Sequence, residues 1–163
     1  MLRGRPTTAQ APANLLEDDP TMKSAKQLVD EAMAVVRTVS LDEARALHAA
    51  ATSLFVDLRD VRELERDGVI PGAVHAPRGM LEFWVDPESK YYKPVFVPGK
   101  TYILYCAADW RATLAAGVLA EMGMDNVLHL EGGFDEWKKA GRPVGARPHK
   151  EPRGTPPAAP ART

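Results

Sequence analysis

The chain has one cysteine, Cys106, in 163 residues. That excludes an intrachain disulfide and any metal site built from several cysteines, and it suits a reducing compartment. Long apolar runs are missing too: nowhere do about 18 consecutive apolar residues occur, as a membrane-spanning helix requires. The basic start, Met1-Leu2-Arg3-Gly4-Arg5-Pro6, is not followed by an apolar stretch of signal-peptide length. A cytoplasmic location is therefore expected. Net charge is nearly absent, Lys+Arg 21 against Asp+Glu 22, so no bulk field draws the chain to nucleic acid or to a membrane. His75 and His129 sit in short apolar segments without ligand-spaced partners, so both read as hydrogen-bonded core histidines and no metal is expected.

Residues 1–21 are rich in Ala, Pro, Thr and acidic side chains without periodicity and read as a disordered leader, with Met22 a second candidate start. Ala25, Leu28, Val29, Ala32, Met33 and Val36 then follow the spacing of an amphipathic helix over 22–36. This helix is expected to pack outside the main domain or to pair with a second copy as a homodimer. Residues 37–145 alternate strand and helix signals. Arg37-Thr38-Val39 is extended, and Ser40-Leu41-Asp42-Glu43 is a capping box for a helix to about Ala50. Leu54–Leu58 is a compact apolar strand, and Asp60-Val61-Arg62-Glu63 is a second capping box. Ala73–Ala76, Thr101–Tyr105 and Asn126–Leu130 read as further strands.

A helix from Trp110 to Met122 carries Trp110, Leu114, Val118 and Met122 on one stripe, and Gly117 is expected to let it approach the sheet. Gly132-Gly133 turns into a last helix, Phe134 to Ala140. Residues 146–163 are Pro, Ala and Arg rich and read as a disordered tail. Strands alternating with helices predict an α/β fold, a central, mostly parallel sheet of about five strands with helices on both faces.

In such sheets ligands bind where strands end and helices begin, and Cys106 falls at that seam. There the unpaired N–H groups of a helix start and the positive end of its dipole, with Arg111 close by, favour a thiolate with a pKa below that of a free thiol. Arg111 itself is mildly unfavourable at a helix start unless an anion is bound. Asp57 and Arg59 end a strand on the same edge, where an ion pair is the leading reading and orientation of the cysteine loop the second. Arg78, after Pro77, is a surface charge or an attractor for an anionic substrate. Trp84, like Phe83, closes the core or walls the acceptor pocket.

Taken together, Val56-Asp57-Leu58-Arg59 with Glu63, Gly68 to Gly79, Tyr105-Cys106 with Arg111, and Leu130-Glu131-Gly132-Gly133-Phe134 with Trp137 resemble the rhodanese homology domain. The resemblance runs from about Arg37 to Val144. It implies a three-layer rhodanese-like fold and a sulfurtransferase. Cys106 would take the outer sulfur of thiosulfate or a persulfide, hold it as a cysteine persulfide, and pass it to a thiol or cyanide-type acceptor, without metal or organic cofactor. A partner protein's persulfide is a further donor. Ala107, Ala108, Asp109, Trp110 and Arg111 would form the substrate loop.

That loop counts six residues with both ends, one fewer than in related phosphatases and arsenate reductases, which leaves less room for a tetrahedral oxyanion. Asp109, and Ala108 beside it, stand where such domains commonly have glycine. If position 109 needs positive φ, aspartate tolerates it. An inward carboxylate there would repel thiosulfate and make it a poor donor, whereas an outward one would be screened. The alternatives to sulfur transfer are a non-catalytic interaction module of the same fold and, third, a phosphatase or arsenate reductase.

Overall fold

A computed structural model describes residues 22–148. The leader expected over 1–21 and residues 149–163 of the tail expected over 146–163 lie outside the described residues; within the tail's described start, Arg147 donates to Glu65 Oε1 at 2.7 Å. Twelve short elements follow in order: α1 (Ala25–Met33), β1 (Arg37–Val39), α2 (Leu41–Ala50), β2 (Ser53–Asp57), α3 (Val61–Asp67), β3 (Val74–His75), a 3-10 turn (Arg78–Met80), α4 (Leu81–Val85), β4 (Thr101–Tyr105), α5 (Trp110–Glu121), β5 (Val127–Leu130) and α6 (Gly133–Lys139). The five strands form one sheet in the order β1-β5-β4-β2-β3. Every pairing in it is parallel.

The starts of α1, α2 and α3 are set by side chains that take up orphan amides. Ser40 Oγ accepts from the Glu43 amide at 3.2 Å. Asp60 and Glu63 form a reciprocal capping box at the head of α3. On β4 the period of two divides the core: Tyr102 and Leu104 pack with Ala112, Ala115, Ala116 and Leu119 of α5, whereas Ile103 and Tyr105 pack with Phe134 and Trp137 of α6. Both faces of the sheet are thereby covered, as parallel strands require.

Two packing expectations change. Gly117 does not meet the sheet; a Cβ there would lie 3.2 Å from Ala32 Cβ, so its smallness admits α1 instead. The Trp110–Met122 stripe is not the core face of α5 either. Trp110 and Met122 are 53% and 45% exposed, while Ala112, Thr113, Ala115, Ala116 and Leu119 point inward. Small residues win the buried side because both the sheet and α1 press close to this helix, leaving the larger side chains outside.

After β2 the chain turns to one side of the sheet, toward β3, and after β4 it turns to the other, toward β5. The carboxyl ends of β2 and β4 therefore flank the point where the winding reverses, the place where doubly wound sheets open a crevice. The segment Leu58–Asp60 and the loop from Cys106 to Arg111 both start there, joined by a hydrogen bond from the Leu58 amide to the Tyr105 carbonyl at 2.9 Å.

Candidate active site

Cys106 follows the last residue of β4, and three residues separate it from the first residue of α5 at Trp110. The loop shape is fixed from behind by α6. The Phe134 amide donates to the Cys106 carbonyl at 2.8 Å and the Asp135 amide to the Ala107 carbonyl at 3.0 Å. These amides belong to the first turn of α6, which would otherwise leave them unpaired.

In a trans peptide the N–H points opposite to the preceding C=O. Pinning those two carbonyls onto α6 therefore turns the amides of Ala107 and Ala108 the other way, into the loop. Among the described residues, the amides of Ala107, Ala108 and Asp109 donate to no protein acceptor. The amides of Trp110 and Arg111 follow in the first turn of α5, where a helix leaves its N–H groups without intrahelical partners.

The approach of α6 demands glycine at the contact. Gly133 has φ +67°, and a Cβ on it would lie 2.6 Å from the Ala107 carbonyl oxygen and 2.7 Å from that of Cys106. Any side chain there pushes the loop off its support.

Asp109 has φ 84°, the left-handed region that glycine takes freely and aspartate tolerates. It is the N-cap residue of α5, yet its side chain caps nothing. The carboxylate goes neither into the loop nor out to solvent. Its Oδ1 lies 2.7 Å from His129 Nδ1 and accepts from the Thr113 hydroxyl at 3.4 Å. His129 is fully buried, and its Nε2 lies 2.8 Å from Thr38 Oγ1 on β1. The expectation of a carboxylate that repels donors thus gives way to a carboxylate engaged by the sheet.

Arg111 makes two parallel bonds to Glu63, Nη1 to Oε2 at 2.8 Å and Nη2 to Oε1 at 2.9 Å. This fork holds the Glu63 carboxyl down at about 2, mainly through Arg111. It raises the guanidinium of Arg111, with the nearby Cys106 sulfur adding in the same direction. Glu63, which the sequence marks as a helix cap and as part of the family resemblance but not as a partner of Arg111, bonds a residue 48 positions away.

Asp57 and Arg59 are both 1% exposed and form a bidentate pair, with Nε to Oδ1 at 3.0 Å and Nη2 to Oδ2 at 2.7 Å. Arg59 also donates to the Gly68 carbonyl at 2.7 Å and lies 4.0 Å from the Phe134 ring centroid. Burial opposes the charge on Arg59, but Asp57 outweighs it and the net direction is upward. The pair ties the end of β2 to α6, the helix that backs the cysteine loop. Arg78 pairs with Glu82 at 2.6 Å. Trp84 lines a cavity of about 290 Å³ with Asp57, His75 and Pro77, beside the carboxyl ends of β2 and β3. His75 Nε2 lies 2.7 Å from the Arg59 carbonyl.

Cys106 is 1% exposed and packs with Val56, Leu58 and Leu104. Ala108, Trp110 and Arg111 around it are exposed, whereas Cys106 itself is buried beneath them. No cluster of three or more metal-ligating side chains occurs among the described residues, and no helix among them is long and apolar enough to cross a membrane.

A strand-end cysteine and a six-residue loop ending in arginine and backed by α6 lie at the switch point of a parallel α/β sheet. The profile of the rhodanese-like domain matches residues 40–140, more than half of the chain, and the chain belongs to that family. It is 42% identical to a protein of unknown function from Rhodopseudomonas palustris CGA009, described as a possible tyrosine phosphatase; the match has a TM-score of 0.74 and covers 87% of this chain and 100% of that one. A sulfurtransferase of Allochromatium vinosum is 28% identical over 91 residues, 56% of this chain and 77% of that protein. An uncharacterised Synechocystis protein is 44% identical over 46 residues, which span 28% of this chain and only 26% of that protein. The human single-domain sulfurtransferase shares the fold at a TM-score of 0.56 and 24% identity, covering 64% of this chain and 96% of that one.

Proposed function

We propose that this chain is a sulfurtransferase that carries sulfane sulfur on Cys106. The observation that carries the reading is the loop itself: the amides of Ala107, Ala108 and Asp109, next along the chain from Cys106, have no protein acceptor among the described residues, and two loop carbonyls are tied back onto α6. Donors fixed in this way stabilise negative charge at the cysteine and on a persulfide formed there, at no cost of reorganisation during the reaction. The thiolate attacks the outer sulfur of the donor. A new S–S bond forms to Cys106, the donor's S–S bond breaks, and its electron pair leaves with the donor's thiolate or, from thiosulfate, with sulfite. The acceptor, a thiol or cyanide, then takes the outer sulfur and returns Cys106 as thiolate.

The preferred donor is a persulfide of low charge. Arg59, Arg78, Arg111 and Arg147, which lines the cavity beside Asp57 and His75, each carry a carboxylate partner. Little cationic charge remains for a dianion such as thiosulfate.

Two other readings have specific support. The R. palustris relative is described as a possible phosphatase, and the near-complete burial of Cys106 fits an interaction module of the same fold. Mass spectrometry separates all three. Protein incubated with cysteine persulfide is expected to gain one sulfur on Cys106, lost on adding cyanide or dithiothreitol and absent in Cys106→Ser. No adduct with any donor supports the interaction module, and turnover of an aryl phosphate supports the phosphatase.

A further inference from the structure

An aspartate at a helix N-cap ordinarily adopts extended backbone and places its carboxylate on the amides of the second or third helical residue. At the head of α5 those amides are Arg111's, which belongs to the loop that closes around Cys106, and Ala112's beside it. A carboxylate sitting on them would occupy the donors and repel any incoming anion. Asp109 does neither: its φ is 84°, and its Oδ1 is taken by His129 and Thr113.

Two forces pull Asp109 out of this state. The left-handed conformation is strained for any residue with a Cβ, and the capped, extended conformation offers the carboxylate new hydrogen bonds. What opposes both is the imidazole of His129, buried on β5 and braced by Thr38. An ionised carboxylate only accepts, so Nδ1 donates to Asp109, and in the neutral ring Nε2 accepts from the Thr38 hydroxyl.

We infer that His129 is a positioning residue for the Cys106 chemistry: it holds the Asp109 carboxylate off the first-turn amides of α5 and so keeps the cysteine loop open to the sulfur anion. The inference rests on the sulfurtransferase reading for its physiological meaning, but the displacement of a carboxylate from the amides is testable without it.

The test measures two rates on the full chain: uptake of sulfur by Cys106 from cysteine persulfide, and alkylation of Cys106 by iodoacetamide, which needs no sulfur donor. His129→Leu releases Asp109 and is expected to slow both rates by roughly 30-fold, the combined pull of backbone relief and capping. Asp109→Gly added to His129→Leu removes the carboxylate and accepts positive φ without strain, and is expected to restore both rates to within about threefold of the starting protein. His129→Asn, which keeps a side-chain N–H near the place of Nδ1, is expected to retain most of both rates.

Rescue by deleting a second group is not what a histidine of purely structural value would allow. The proposal is overturned if His129→Leu reacts as fast as the parent, or if the double variant is as slow as the single one. If His129→Leu does not fold, Thr38→Val, at an exposed position of the edge strand β1, carries the test. It is expected to slow both rates about threefold in the parent and not at all in the Asp109→Gly background, and equal effects in the two backgrounds overturn the proposal. A parent that alkylates in this pattern but takes up no sulfur sinks sulfur transfer and leaves the role of His129 standing.

Discussion

Replacing Arg59 with methionine should destabilise the domain more than replacing Arg59 and Asp57 together. Arg59 is 1% exposed and makes two bonds to Asp57, one to the Gly68 carbonyl and a cation–π contact with Phe134 at 4.0 Å. Removing one partner of a buried ion pair leaves the other charge uncompensated, at a cost of about 3–5 kcal/mol. The stranded Gly68 carbonyl adds about 1 kcal/mol and the lost cation–π contact about 1 kcal/mol. The single variant therefore loses about 5–7 kcal/mol, set against a total stability of about 5–15 kcal/mol for a domain.

In Asp57→Asn/Arg59→Met no buried charge is stranded, and the asparagine oxygen still accepts the Arg59 backbone amide that Asp57 accepts at 3.1 Å. Its loss falls to about 2–3 kcal/mol, so the second substitution recovers about 3 kcal/mol. Urea unfolding followed by fluorescence reads this out, since Trp137 is fully buried and donates to the Pro143 carbonyl at 2.8 Å. A single variant that loses under about 1.5 kcal/mol, or a double variant no more stable than the single, refutes the account of this pair.

Gly133→Ala places a methyl group within 2.7 Å of two loop carbonyls at φ +67°. It is expected to cost about 2–4 kcal/mol in urea unfolding and to slow Cys106 alkylation, and ordinary values of both would contradict the role assigned to α6. Arg111 holds the Glu63 carboxyl at about 2 against an ordinary 4.5. A carboxyl lowered in the folded state contributes stability that is complete above its unfolded value and lost as pH falls through its folded one. The stability gap between parent and Glu63→Gln should therefore close between about pH 4.5 and 2, and a gap that stays constant across that range would contradict the bond. Glutamine keeps the capping function of this position, so the comparison isolates the charge.

The parts of this molecule that were legible in sequence are those governed by neighbours along the chain. Ser40 with Glu43 and Asp60 with Glu63 announce helix starts through spacing alone, and both boundaries agree with the structure. The apolar run Thr101–Tyr105 ending on Cys106 and followed by α5 is equally local. What stayed hidden depends on which strands pair. His129 reaches Thr38 because β5 lies beside β1, with Thr38 in register with His129, and no pattern within either segment encodes that register. Glu63 reads as a cap because its second bond, to Arg111, spans 48 positions. Gly117 was assigned to the sheet because a glycine signals close approach but not the identity of what approaches, here Ala32 of α1. Asp109 was expected to face in or out because sequence offered no third direction, and the buried imidazole supplies one.

The support that α6 gives to the Cys106 and Ala107 carbonyls means that the hexapeptide is not a portable unit. Grafted alone into a foreign scaffold, residues 106–111 would carry their side chains but not their curvature, because the two glycines at 132 and 133 stand 26 and 27 positions downstream of the sulfur. Engineers who wish to transplant this cysteine loop must move its backrest with it.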